Sequence, residues 1–203
     1  MPKTYLSDFP NLPRLAQLNS LYCGPAVLAM LAGFWGKEID QEEIVRTTGV
    51  GLKIKARGMT IEELGLAIKR LTPELRFWFK RQATISELSR LINFFKVPVG
   101  VEWQGIFDYP DEEIDENEDD DPGHFSIVTH INTGNNLIKV ADPDRHYAGK
   151  DRFFTILQFE RRWWDINEVT DLVSRRSFEQ DDYHAMFVLT PVEESFPMEL
   201  GME

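Results

Sequence analysis

The chain has 203 residues, 42% of them hydrophobic and 12% aromatic, enough for one domain with a substantial core. Its net charge of −12 is mostly local: residues 108–121, DYPDEEIDENEDDD, hold ten acids and no base, leaving 24 acidic against 22 basic residues elsewhere. No basic run is present to neutralise phosphates, no apolar stretch is long enough for a membrane helix, and one cysteine permits no internal disulfide, so nucleic-acid binding, a membrane span and a disulfide scaffold are all excluded.

The N-terminal MPKTYLSDFPNLPRL has no apolar signal-peptide core, and the expectation is a cytoplasmic protein with one domain over 1–203. Residues 1–16, with three prolines, read as an extended lead-in. Next comes QLNSLYCGPAVLAMLAGFW, residues 17–35, which holds the only cysteine. Pro25 suits the first turn of a helix, where its missing N–H would be unpaired anyway. The run after it has no polar face and predicts a helix buried on all sides. Cys23 then stands at the helix N-terminus, where unpaired backbone N–H groups and the helix dipole favour the thiolate. Gln17, six residues earlier, can offer its amide N–H to the oxygen of a carbonyl under attack, beside the backbone N–H of Cys23. Against this stands the plain alternative of a small buried thiol with no chemistry.

Asp40 with Glu43, Thr60 with Glu63 and Thr84 with Glu87 each mark a helix start. The helices should end near Thr47, Leu71 and Phe95, with a glycine-rich loop, TTGVGLKIKARGM, after the first. RFWFK (76–80) reads as a short strand. Val97, Val99, Val101 and Trp103 alternate at period two and predict another. After the acidic stretch, FSIVTHI, the turn-rich NTGNN and LIKVA predict a hairpin. DPDRHYAGKD reads as a loop, FFTILQFERRWWDI as a helix opening at Thr155, and HAMFVLTP as the last strand. Helices first and antiparallel strands later is the α+β pattern.

A thiol nucleophile needs a base within hydrogen-bond reach, and the base needs a group to orient it. With the hairpin turn near Thr133–Gly134, opposed residues have numbers summing to about 266–269, which places Asp142 opposite or diagonal to His124. A His–Asp pair there would fix the imidazole tautomer. Of the other histidines, His130 lies about 20 Å along the strand at ~3.3 Å per residue. His184 opens the last strand, and His146 is the one rival base. The four histidines and lone cysteine form no metal-ligand cluster, and no cofactor is expected.

QLNSLYCGPAVLAML resembles the active-site entry of the C39-type, bacteriocin-processing-like, papain-like cysteine peptidases. GHFSIVTHI and IKVADPD resemble that family's His strand and Asp turn. KARGMTIEELGLAIKRL and TILQFERRWWD fall where the family has later helices, so the resemblance covers roughly residues 12–191. It implies a papain-like fold, with a helical half carrying the cysteine packed on an antiparallel sheet carrying His and Asp. It also implies a thiol peptidase with Cys23 as nucleophile, His124 as general base, Asp142 as orienting acid and Gln17 as oxyanion-hole donor. The best-known members are N-terminal domains of peptide-exporting transporters, which cut leader peptides after a double glycine. This chain is expected to be a stand-alone member, and the acidic insertion before His124 lies outside the family's pattern.

Two other functions stay open at this point: acyl transfer to an amine or thiol through the same triad, and a catalytically silent peptide-binding module. The expected partner is a peptide or protein substrate. An acidic stretch ending three residues before His124 would favour basic segments. The oligomeric state is not legible.

Overall fold

A computed structural model describes residues 9–51, 58–106, 123–170 and 177–203, with side chains over the same ranges apart from 168–170 and 177–178. The lead-in before residue 9, the middle of the glycine-rich loop and the acidic stretch at 108–121 fall outside the described residues.

The first helix, α1, runs Cys23–Phe34, and Cys23 to Ala32 are all buried. It packs on the sheet rather than lying at the surface, which is why its sequence lacks a polar face. Gly24 permits the close approach: a Cβ there would lie 3.3 Å from both Leu64 and Phe125. Helix α2 (Gln41–Thr48) starts where Asp40 accepts from the Glu42 and Glu43 amides, and it ends at Gly49 in the left-handed region. Helix α3 (Ile61–Leu71) opens with a complete capping box between Thr60 and Glu63. Thr84 and Glu87 form another ahead of α4 (Ile85–Arg90), which continues as one wider π-turn over Leu91–Phe95.

The strands are β1 (Leu75–Lys80), β2 (Val99–Trp103), β3 (His124–Asn132), β4 (Leu137–Ala141) and β5 (Asp151–Phe154), then β6 (Ile166–Thr170), β7 (Ser177–Asp181) and β8 (Met186–Pro191). Six of them form one antiparallel sheet in the order β1-β8-β2-β3-β4-β5, and β6 pairs with β7 in a separate hairpin. Helices packed on one antiparallel sheet give an α+β fold, as the order of elements predicts.

Three local differences from the sequence reading have physical causes. The FF of FFTILQFERRWWDI belongs to β5, because Thr155 caps the helix and the residues before a cap are extended. Helix α5 is therefore only Ile156–Arg161, and Ile166 already starts the β6–β7 hairpin that the sequence reading lacked. In β2 the alternation does not mark one wet face, since all five residues are buried, Glu102 included. Trp103 packs on Phe154 and Phe159, with ring centroids 5.6 and 5.5 Å away, and this aromatic group covers the central strand.

Candidate active site

In the β3–β4 ladder Ile127 faces Ala141 and Val128 faces Val140, and the register shifts by one after Val128. Extended past Ala141, that register puts Asp142 diagonal to His124 at the same end of the sheet. Their side chains meet: His124 Nε2 lies 2.8 Å from Asp142 Oδ1. The opposite carboxylate oxygen accepts from Arg152 Nη1 at 2.8 Å, and the Asp144 backbone N–H donates to Oδ1 at 3.0 Å. Arg152 reaches in from β5 and stacks over the Tyr147 ring at 3.6 Å. It also donates to the Ile106 carbonyl.

Cys23 starts α1 at 8% exposure, and its sulfur is in hydrogen-bonding contact with the His124 side chain. Asp142 holds Nε2, so Nδ1 is the ring nitrogen left to serve the thiol. His124 is 5% exposed and Asp142 3%. Burial by itself pulls the imidazole toward neutrality. The Asp142 carboxylate and the Cys23 sulfur outweigh it and raise His124 to about 10. Burial likewise pushes Asp142 up, but the His124 charge, the Asp144 N–H and Arg152 hold it below the usual carboxylate range. The resting pair is thus an imidazolium and a carboxylate, both kept charged by their partners.

Gln17 is 5% exposed, and its side-chain oxygen has no hydrogen-bond partner among the described residues. Its backbone is tied to the turn after Asp142. The Gln17 N–H donates to the Pro143 carbonyl at 2.8 Å, and Arg145 donates to the Gln17 and Leu18 carbonyls. From the other side Gln41 accepts the Leu18 N–H at 3.1 Å and donates to the Ala16 carbonyl at 2.9 Å.

The fold therefore joins Cys23, His124 and Asp142 directly and anchors Gln17 to the Asp142 turn. It leaves the rival His146 aside: the ring bonds Asp144, two residues away, and its side chain is 65% exposed. His184 lies against Trp163, ring on ring at 4.7 Å, and bonds the Ala83 carbonyl. Sequence reasoning missed Arg152, Arg145 and Gln41. A basic residue ten positions after the Asp turn was the one available signal for the first. Gln41 carried none.

A family model described as "Peptidase_C39 like family" matches residues 9–170, a span that takes in Gln17, Cys23, His124 and Asp142. The chain belongs to the peptidase C39-like family. Similar solved structures agree on the fold. The peptidase domain of Streptococcus ComA, a bi-functional ABC transporter involved in quorum sensing, is 18% identical with a TM-score of 0.58 and covers 89% of this chain and 98% of its own. A double glycine motif protease from an AMS/PCAT transporter, in complex with its leader peptide, is 16% identical with a TM-score of 0.55, over 89% and 91%. A C39-like peptidase from Bacillus anthracis is 15% identical with a TM-score of 0.59, over 91% and 96%. No curated protein matches the sequence. Among the described residues no helix is long and apolar enough to cross a membrane.

Proposed function

We propose that this C39-like protein is a thiol peptidase that cleaves peptide bonds through a Cys23 acyl-enzyme. The observation that carries the reading is a buried imidazole touching a thiol at a helix N-terminus and held on its far side by a buried carboxylate at 2.8 Å. A protonated imidazole beside a thiol favours the anionic nucleophile. The sulfur attacks the scissile carbonyl carbon. His124 then passes its proton to the departing amine as the C–N bond breaks and the thioester remains. Water, deprotonated by the now neutral His124, attacks the thioester, releases the acid and returns the thiol.

Gln17 is placed in this reading as a donor to the developing oxyanion. Its amide N–H is the group that would meet the oxyanion, beside the backbone N–H of Cys23. The substrate is a peptide or protein segment, and residues 108–121 would steer basic segments toward the cleft.

The test is to incubate the full chain with a peptide library, with and without an amine acceptor, and to read products by mass. Hydrolysed fragments that vanish in Cys23→Ala and His124→Ala support the proposal. Products carrying the acceptor would reassign the protein as an acyltransferase. Bound but intact peptides would make it a binding module.

A further inference from the structure

His124 has a second group of buried acids on its other flank. Its ladder partner in β2 is Trp103, and the residue before that, Glu102, is 1% exposed. Glu102 Oε1 accepts from Asn167 Nδ2 at 3.0 Å, whereas Oε2 has no N–H or O–H donor among the described residues. Asp165, 8% exposed, lies within hydrogen-bond range of Glu102. Its Oδ1 accepts from Gln104 Nε2 at 2.8 Å. A proton on Glu102 satisfies both acids at once, as an O–H donated from Oε2 to the Asp165 carboxylate. Burial and the Asp165 charge hold Glu102 well above the usual carboxylate range, which favours that proton. Asp182 shares Asn167 and pairs with Arg81, the cation of the group. Among the described residues no three His, Cys, Asp or Glu side chains converge as a metal site would require.

The Asp165 carboxylate presses on the chain at Gly123, the residue immediately before His124. A Cβ at position 123 would lie 1.9 to 2.5 Å from Asp165 Oδ2, Cγ and Oδ1, so any larger residue forces the carboxylate to move. We propose that Asp165, steadied by Glu102 and Gln104, is a positioning residue for His124: its carboxylate is the wall along which Gly123 runs, and it thereby sets where the imidazole begins. The proposal rests on the reading of His124 as the base. Asp142 fixes the ring from its tip, and Asp165 fixes the backbone from which the ring extends. Both are needed, because a misplacement of about 1 Å can cost a catalytic group on the order of 10²-fold.

The test uses Cys23 alkylation by iodoacetamide at pH 7, which needs no substrate, with thermal melting of the same samples. The variants are His124→Ala, Gly123→Ala, Asp165→Ala, Glu102→Ala and Glu102→Gln in the full chain. His124→Ala should alkylate slowest. Gly123→Ala, Asp165→Ala and Glu102→Ala should each fall by roughly tenfold or more in folded protein. Glu102→Gln keeps an N–H aimed at Asp165 and should stay within about twofold of the parent. If His124→Ala is slow while Gly123→Ala and Asp165→Ala match the parent, the base reading stands and the positioning role is overturned. A lower melting temperature with an unchanged rate would likewise restrict the acids to the core. If His124→Ala itself alkylates at the parent rate, the base reading fails and the positioning role goes with it.

Discussion

Asp142 and Asp165 flank the same histidine, and both are nearly out of contact with water, yet their carboxyls move in opposite directions. Asp142 is lowered, whereas Asp165 is raised to about 6. Burial pushes both upward. Asp142 has an imidazolium, a guanidinium and a backbone N–H directed at its two oxygens, and their combined pull prevails. Asp165 has the Ile166 N–H, the Gln104 amide and the Glu102 carboxyl, with a further negative charge nearby at Asp182, and desolvation prevails. Charge balance, rather than depth, decides which way each acid moves. In the proposed mechanism the balanced acid orients the reacting ring, and in the positioning proposal the unbalanced one props up the backbone.

The comparison predicts very unequal losses on neutralising each acid. Asp142→Asn should lower turnover by about 10⁴ while leaving the fold intact, because the amide no longer specifies the imidazole tautomer. Asp165→Asn, which keeps the shape that Gly123 meets, should stay within about twofold in turnover. Steady-state kinetics on one cleaved peptide measure both, and equal losses would erase the distinction drawn between them.

The next effect is on stability. Arg152→Ala removes the cation from a fully buried carboxylate oxygen and should cost about 3 kcal/mol in urea unfolding. Loss of only a few tenths would mean that His124 alone balances Asp142.

The smallest effect is in the pH profile of stability. His124 is raised to about 10, so its contribution is complete below the unfolded value of about 6.5 and is lost as pH rises through about 10. Asp142 is lowered, so its contribution is present above about 3.9 and is lost as pH falls through the depressed folded value. Asp165 is raised, so what it contributes is complete below about 3.9 and is lost as pH rises through about 6. Asp165→Asn should therefore flatten the decline in urea midpoint between about pH 4 and 6, while Asp142→Asn flattens the acid limb. A decline that persists in Asp165→Asn would place its origin elsewhere.

Local signals were the legible part of the sequence. Asp40, Thr60, Thr84 and Thr155 announce their helices because each cap is a contact within three residues. The Cys23 helix and the hairpin bringing His124 to Asp142 were readable from apolar runs and one turn, since a hairpin turn fixes its register. Strand β5 and the β6–β7 hairpin were not, because a four-residue strand against a helix cap carries too little periodicity. Glu102 illustrates the deeper limit. An acid between Val101 and Trp103 reads as facing solvent, and what covers it is Asp165 and Asn167, more than 60 residues away. Arg152 was hidden for a related reason, since its partner is chosen by the β4–β5 pairing rather than by its neighbours.

The turn after Asp142 also governs when the site can exist. It joins Gln17 to Pro143 and Arg145, groups up to 128 positions apart, while helix α1 closes its own hydrogen bonds locally. Contacts so distant in sequence form late, after the intervening chain has lost most of its freedom. The loop that would hold a substrate oxygen beside Cys23 is therefore set only by contacts that close long stretches of chain. The thiol, the imidazole and that loop meet only when the cysteine helix and the sheet are docked.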